Sequence, residues 1–391
     1  MDQFPAPPYP SLRVAPPAPS AKRGVLRWAL GAAAVLAALL TGLCTLWLIG
    51  YETGAVPFLA GLIAATLPVP VYVTLVLWLD RYEPEPPWML AAAFFWGALV
   101  AVFFAIIINS LGVAVVAAVA GDATGESYGL VVSAPLVEET AKALVLFALF
   151  FWRRDEFDGV TDGVIYAAMV GLGFAMTENF QYYGKVIAAG GLFNGDFQEI
   201  YLVRGGLAAY SHPLFTSMTG IGLGISRQSR NFFVKIIMPI IGLGLAMFLH
   251  FLWNLTASLS QTLTGFLMTY LLLMVPIFAI TLGIVFFALL REGRVVREFL
   301  MPDLQRGFFT QDDYNRLITI RGRLGSSFRA FRGGGFGVWR ARMQYNQMAS
   351  ELAFHRHRIA RGDVRMDPSV AEREAAMVQL LMELRQRLGQ Y

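Results

Sequence analysis

The chain has 391 residues, of which 56% are hydrophobic and only 15% are charged. A soluble domain of this length would carry about a quarter charged residues, so the composition excludes an ordinary soluble globular protein and predicts a polytopic membrane protein. The single cysteine, Cys44, excludes an intramolecular disulfide. The net charge of +4 is uneven, because residues 291–391 hold 18 arginines against 11 acidic residues.

Composition divides the chain into three regions. Residues 1–24 include seven prolines and few large apolar residues, which predicts a disordered tail. Residues 25–290 are predicted to be the membrane domain, and residues 291–391 a basic tail that is helical or disordered.

The membrane region contains eight apolar runs, each long enough as a helix to cross about 30 Å of hydrocarbon. The runs cover about 25–50, 55–79, 88–119, 128–152, 162–187, 201–226, 233–259 and 265–290. We therefore predict an all-α membrane bundle of about eight transmembrane helices.

The basic residues of the short connections predict the orientation, since lysine and arginine are retained on the cytoplasmic side. One side has only Lys185 and Arg204, and we interpret Arg204 as an interfacial anchor. The other side is richer and holds Arg81, Arg153, Arg154, Arg227, Arg230 and Lys235. Both termini are therefore predicted to be cytoplasmic, in the cell membrane.

The basic tail is predicted to contain an amphipathic helix over about 368–388, and a helix that starts near Thr310-Gln-Asp-Asp313. Its arginines predict attraction to anionic lipid. Nucleic-acid binding is not expected. Near the second run, Asp80-Arg-Tyr-Glu-Pro-Glu-Pro86 predicts a rigid turn with an interfacial Tyr82 and no chemistry, because its prolines exclude a helix.

The most informative stretch is Ser133-Ala-Pro-Leu-Val-Glu-Glu-Thr-Ala-Lys142, which places three ionisable side chains inside an apolar run. Each costs about 2.5 to 3.5 kcal/mol at membrane depth on insertion scales. Other runs contain further polar residues: Glu178 with Asn179, His212, and His250 with Asn254. Residues four apart share a helix face, so Glu138 with Lys142 and His250 with Asn254 form one-sided pairs.

Depth suggests that these residues belong to one site. At 1.5 Å per residue, Glu138, Glu178, His212 and His250 all lie about 10 to 15 Å below the outer surface in the predicted topology. Glutamates and histidines in one pocket can hold Zn²⁺ with a position open for water. Without metal, a buried glutamate can act as general base on water. Both routes end at hydrolysis of an amide.

At these residues the chain resembles the PrsW-type intramembrane proteases, which are related to CAAX prenyl endopeptidases and bacteriocin-processing membrane enzymes. The resemblance covers about residues 77–256. It is carried by the 80–86 turn, Glu138-Glu139-x-x-Lys142, the block from Asp162-Gly to Phe174-x-x-x-Glu178-Asn179, His212, and His250-x-x-x-Asn254. Glu178 and Lys142 stand where the CAAX branch usually has His and Arg, which favours the PrsW branch.

The resemblance implies a membrane-embedded endopeptidase that cleaves membrane-anchored proteins near the extracytoplasmic boundary, such as anti-sigma factors. The implied catalytic residues are Glu138, Glu139, Glu178, His212, His250 and Asn254. On this hypothesis Glu138 or Glu139 is the general base and Asn254 an oxyanion donor. His212, His250 and Glu178 bind zinc or polarise water, and Lys142 and Asn179 support the site.

Other interpretations stay open from the residues alone. Glu138 with Lys142 also fits a structural ion pair, and His250 with Asn254 an interhelical hydrogen-bond pair. His212 before Pro213 also fits a helix break. As a whole, the chain could instead be a proton-coupled transporter, since membrane Glu and His residues form proton relays, or a non-catalytic membrane scaffold.

Overall fold

The structure is a computed structural model that describes residues 21–154, 156–260, 262–362 and 368–389. Within these ranges the regular elements are helical and no strand occurs, which confirms the all-α prediction. The predicted disordered tail lies outside the described residues, except that positions 21–24 already belong to the first helix.

The helices follow the apolar runs of the sequence and continue through most of the basic tail. In chain order they are α1 (Ala21–Thr53), α2 (Ala55–Thr66), α3 (Val69–Leu79), α4 (Pro87–Phe95), α5 (Val102–Ala120), α6 (Asp122–Tyr128), α7 (Ala134–Trp152), α8 (Val160–Gly190), α9 (Gly195–Ile200), α10 (Ser211–Gln228), α11 (Phe232–Leu259), α12 (Leu263–Thr269), α13 (Val275–Gln305), α14 (Gln311–Leu317), α15 (Ile320–Arg361) and α16 (Pro368–Leu388).

Short π-helical segments join several of these helices. In the described chain they are Trp96–Ala101, Gly129–Ser133, Tyr201–Leu207 and Tyr270–Met274. Such segments are rare and occur frequently at functional sites, because the extra residue per turn redirects the side chains that follow.

Among the described residues, six helical stretches are long and apolar enough to cross a bilayer. They are Gly31–Thr53, Ala55–Leu79, Pro87–Ala120, Val160–Gly190, Phe232–Leu259 and Leu263–Gln305. The predicted spans at 128–152 and 201–226 correspond to α7 and α10, which are helical but more polar. A multi-pass helical membrane protein is therefore confirmed.

Helix α8 is the centre of the bundle and is buried along most of its length. It approaches α10 closely at small residues, as helices in membranes often do. A Cβ on Gly163 would lie 2.2 Å from the Gly220 carbonyl oxygen, and one on Gly171 would lie 2.6 Å from the Pro213 nitrogen. The second contact places His212, the neighbour of Pro213, directly beside α8.

The connection between α3 and α4, residues 80–86, is non-helical as predicted. Asp80 Oδ2 accepts the Glu85 backbone N–H at 2.9 Å, and the Tyr166 hydroxyl is hydrogen-bonded to the Glu85 carboxyl. Tyr82 is only 2% exposed. Its predicted interfacial position is therefore wrong, because residues of α13 and the C-terminal helices pack over it.

The Glu85 carboxyl yields a stability prediction. Burial raises the pKa of Glu85 to about 12, whereas an unfolded glutamate ionises near pH ~4.3. A carboxyl group whose pKa is raised in the folded state stabilises the fold fully only below the pKa of the unfolded state. This contribution is lost as the pH rises through the pKa of the folded state. We therefore expect Glu85→Gln, which stays neutral, to be more stable than wild type at about pH 8 and nearly equal to it at about pH 4.

Thermal unfolding of the detergent-solubilised protein at both pH values checks this. Glu85→Ala is the comparison, since it also cannot ionise but removes the hydrogen bond to Tyr166, and it should be less stable than Glu85→Gln at both pH values. A Glu85→Gln protein that matches Glu85→Ala at the higher pH would contradict a neutral Glu85.

The C-terminal region is a folded helical domain in the described residues. The stretch Leu263–Gln305 has 43 residues, or about 65 Å at 1.5 Å per residue, so α13 extends well past ~30 Å of hydrocarbon. Helices α14 to α16 pack against this extension. Their common core includes Val296, Leu300, Tyr314, Leu352 and Leu381. A helix is present over Pro368–Leu388, where the sequence predicts one.

Candidate active site

Glu138, Glu139 and Lys142 lie on one buried face of α7. Lys142 Nζ is 2.8 Å from Glu139 Oε1 and 3.4 Å from Glu138 Oε2, and its side chain is 0% exposed. It also lies 3.8 Å from the centre of the Phe174 ring. One ammonium group therefore serves two buried carboxylates, which would be costly without it.

Glu139 is fully engaged by its neighbours. Beyond Lys142, its Oε1 lies 3.0 Å from His250 Nδ1, and its Oε2 accepts a hydrogen bond from Thr216 at 3.0 Å. A carboxylate accepts, so Nδ1 of His250 carries the hydrogen and Nε2 keeps its lone pair. That Nε2 faces Glu138 Oε2 at 3.9 Å.

His212 is held between α7 and α8. Its Nδ1 is 3.0 Å from Lys142 Nζ, and its Nε2 is 2.6 Å from Glu178 Oε2. An ammonium group only donates, so Nδ1 accepts and Nε2–H donates to Glu178. The two histidine rings lie edge to face, with centroids 5.2 Å apart.

Arg204 belongs to this site, which corrects its interpretation as an interfacial anchor. From the π-helical segment Tyr201–Leu207, its Nη2 donates to Glu178 at 2.6 Å and its Nε donates to Asn179 Oδ1 at 2.8 Å. The guanidinium group also lies 4.0 Å from the centre of the Tyr182 ring. The one signal in the sequence is an arginine followed by two glycines in an apolar run.

Asn254 secures the start of α7. Its Nδ2 donates to the Leu130 carbonyl oxygen at 2.8 Å, within the π-helical segment Gly129–Ser133. Ser133 Oγ donates to Asn109 Oδ1 at 2.7 Å in the same region. One amide hydrogen of Asn254 is therefore used for backbone support, and the second is available for the predicted oxyanion role.

Three side chains converge as a group with metal-ligand geometry. Glu138, His212 and His250 each offer one ligand atom, and these atoms all lie within 4.8 Å of one another. No other such group occurs among the described residues. The ligand set predicted from the sequence has Glu178 with the two histidines, but Glu178 is paired with Arg204, and Glu138 is the carboxylate that lies in this group.

The donor set fits Zn²⁺. Two imidazole nitrogens and one carboxylate oxygen, with a fourth position for water, are typical of catalytic zinc sites. The contact of Glu139 with His250 Nδ1 matches the carboxylate partner that orients metal-binding histidines. His250 Nε2 is free to bind, whereas His212 must give up its contact with Lys142 or Glu178.

A small cavity reaches this group from the side of Arg204. Its volume is about 20 Å³, and a water molecule needs at least ~10–15 Å³. It is lined by Ala175, Asn179, Arg204, Ala208, Ser211, His212 and Trp253. The cavity therefore has room for about one water molecule beside His212.

Four helices, α7, α8, α10 and α11, thus bring the predicted polar residues together. Buried carboxylates, two histidines and adjoining space for water inside a membrane bundle are the groups that hydrolytic chemistry uses. The chain belongs to the PrsW family: residues 85–281 match the family described as "PrsW family intramembrane metalloprotease". The resemblance to the PrsW branch is confirmed.

Two curated relatives carry the name "Protease PrsW". The protein from Geobacillus kaustophilus is 34% identical over 145 residues, which cover 37% of this chain and 57% of the relative. The protein from Oceanobacillus iheyensis is 33% identical over 97 residues, which cover 25% of this chain and 40% of the relative. The chain thus spans about half the length of these relatives. No solved structure matches it.

Proposed function

We propose that this protein is an intramembrane endopeptidase that hydrolyses a peptide bond of membrane-anchored proteins. The observation that carries the proposal is the approach of Glu138, His212 and His250 to within 4.8 Å inside the helical bundle. Membership of the PrsW family supports it.

The contacts favour different roles for the two adjacent glutamates. Glu139 is 0% exposed and accepts from Lys142, His250 and Thr216. The Glu138 side chain keeps 9% exposure and has only longer contacts, at 3.4 Å to Lys142 Nζ and 3.9 Å to His250 Nε2. A general base needs an oxygen that can reach water, so Glu138 is the base and Glu139 orients His250.

The chain's own residues then move the proton. Glu138 takes a proton from water as the water oxygen adds to the peptide carbonyl carbon, and the proton passes to the amide nitrogen as the C–N bond breaks. Asn254 donates its second amide hydrogen to the developing oxyanion. A zinc ion held by Glu138, His212 and His250 would lower the pKa of its bound water and polarise the carbonyl.

The substrates we propose are single-span membrane proteins, anti-sigma factors among them, cut near the extracytoplasmic boundary. The connections 80–86, 156–159 and 229–231 lie at one end of the bundle, here called the basal face. Basic residues concentrate there, which supports a cytoplasmic basal face, cytoplasmic termini and contact of the basic C-terminal region with anionic lipid.

Cleavage of a labelled single-span substrate by the protein in lipid nanodiscs tests the proposal. We expect a cut near one membrane boundary, loss of activity with a chelator, and recovery with zinc. Metal analysis before and after chelation should show about one equivalent lost together with activity. Full activity in metal-free protein would contradict the metal role, and a substrate left intact by metal-loaded protein would contradict the proteolytic function.

A further inference from the structure

The long helix α15 is a hairpin. Gly335 has a φ of 69° and interrupts the helical geometry, which a glycine tolerates at no steric cost. The two arms then pack antiparallel: Arg323 Nη2 donates to Ser350 Oγ at 2.6 Å, and Asn346 Nδ2 donates to Ser327 Oγ at 3.4 Å. The part of α15 around the bend, residues 320–343, is here called the basic hairpin.

The second arm is anchored along the basal face of the bundle. Near its end, Arg358 Nη1 lies 3.0 Å from Glu83 and 3.3 Å from Asp158, and Arg230 donates to the Arg361 carbonyl oxygen at 3.5 Å. These contacts reach three different connections of the bundle. The second arm therefore lies along the basal face and is held there at several points.

The first arm is fixed at the same face. Arg323 Nη1 donates to the Arg81 carbonyl oxygen at 3.1 Å, and its guanidinium lies 4.5 Å from the centre of the Tyr82 ring. From Ser350, which bonds Arg323, to the bend at Gly335 is about 22 Å of helix. The hairpin tip therefore extends beyond the 80–86 connection, on the side away from the 229–231 connection.

The hairpin is strongly basic. Residues 320–343 contain six arginines and no acidic residue. Four of the arginines in the hairpin are exposed: Arg321, Arg329, Arg332 and Arg340. A positive surface of this kind attracts anionic partners.

The hairpin also exposes a row of large apolar side chains. Leu324, Phe328 and Phe331 follow a helical spacing of four and three residues, and are 48%, 61% and 52% exposed. Phe336, just past the bend, is 65% exposed. A contiguous apolar row rimmed by arginines indicates a surface that is covered in the working protein.

We propose that the basic hairpin docks on the anionic bilayer surface, with Phe328, Phe331 and Phe336 inserted at the headgroup level and the arginines paired with lipid phosphates. Apolar residues beside arginines on a helix are the pattern of interfacial membrane segments. The contacts of Arg323 and Arg358 attach the hairpin to a bundle that crosses the membrane, so docking needs no separate association from solution. The proposal does not depend on proteolytic activity.

An environment-sensitive fluorophore at the tip tests the docking. Cys44→Ser removes the native thiol, and Gly333→Cys offers an exposed attachment point with no neighbouring atom within 4 Å of its added Cβ. The label is read in nanodiscs of phosphatidylcholine alone and of phosphatidylcholine mixed with phosphatidylglycerol. A label at exposed Gln379→Cys on α16 is the matched control.

We expect a blue-shifted tip emission, and quenching by brominated lipid roughly twofold or more above the Gln379 control in the anionic discs. Reversing Arg329 and Arg332 to Glu should remove the dependence on phosphatidylglycerol, since each arginine contributes about fivefold to binding. Replacing Phe328 and Phe331 by Ser should reduce quenching in both disc types. An unchanged thermal midpoint verifies that these variants fold.

Two results would overturn the proposal. One is a tip label as exposed to water in anionic discs as the Gln379 label. The other is a larger emission shift produced in detergent by RNA than by anionic lipid in discs, which would assign the surface to nucleic acid.

Discussion

Glu138→Gln is expected to lower the rate of substrate cleavage by about 10²- to 10⁴-fold, the usual contribution of a general base. Glutamine keeps the size of the side chain but cannot take a proton from water. Because the contacts of the Glu138 carboxylate are long, at 3.4 Å to Lys142 Nζ and 3.9 Å to His250 Nε2, the fold should tolerate the change. The measurement is single-turnover cleavage in nanodiscs, with thermal unfolding as a check on folding.

Glu52→Gln is the matched control, since Glu52 pairs with Lys185 at 3.0 Å but its side chain is 46% exposed. Its activity should equal that of wild type. Metal content separates two roles of Glu138: a variant that loses metal and activity together has lost a ligand, whereas one that keeps metal has lost the base. A Glu138→Gln protein as active as Glu52→Gln would refute both roles.

Lys142→Met is expected to destabilise the protein by about 3 to 5 kcal/mol, the typical effect of removing one partner from a buried ion pair. The ammonium group is 0% exposed and is the cation closest to Glu139, at 2.8 Å. It also donates to His212 Nδ1 at 3.0 Å. Methionine fills the same volume but leaves two buried carboxylates without this charge.

Thermal unfolding in detergent measures the effect, with Lys185→Met as the matched control. Lys185 also pairs with a glutamate, but its side chain is 52% exposed, so its loss should cost no more than about 1 kcal/mol. Adding Glu139→Gln to Lys142→Met should recover part of the stability, because it removes one unpaired charge. Equal midpoints for the two lysine variants would show that Lys142 is not an essential counter-charge.

The polar residues of the site could be selected from the sequence for an energetic reason. A charged or imidazole group in an apolar run is costly wherever it points, so Glu138, Glu178, His212 and His250 are visible without any structure. Counting residues from the predicted helix ends placed them in a common layer, and the structure brings the side chains into contact.

The partner of each residue within the site could not be predicted by counting residues from the helix ends. Glu138 instead of Glu178 lies in the candidate metal group, and Glu178 is paired with Arg204, which approaches it from the π-helical segment Tyr201–Leu207. An arginine near a predicted membrane boundary is normally an interfacial anchor. Only the path of the chain between α9 and α10 turns it back toward the site.

The basic tail shows the same limit. Its arginines predict a surface attracted to anionic lipid. Their number does not show which of them remain exposed once the segment is folded. Arg323 and Arg358 use their charges to bind the basal face, while Arg329 and Arg332 remain exposed. Arg329 and Arg332 lie close to the turn at Gly335, whereas Arg323 and Arg358 lie farther from it, against the bundle. The C-terminal helices that pack on the bundle also bury Tyr82.

The sequence by itself determined the class of protein, a helical membrane protein, and the set of ionisable residues that need an explanation, because both follow from transfer free energies of single residues. The tertiary structure decided which partner each of these residues has. Partners depend on helix rotation and close approach, as where Gly171 meets Pro213 and places His212 beside α8. Those distances are set by packing between segments far apart in the chain.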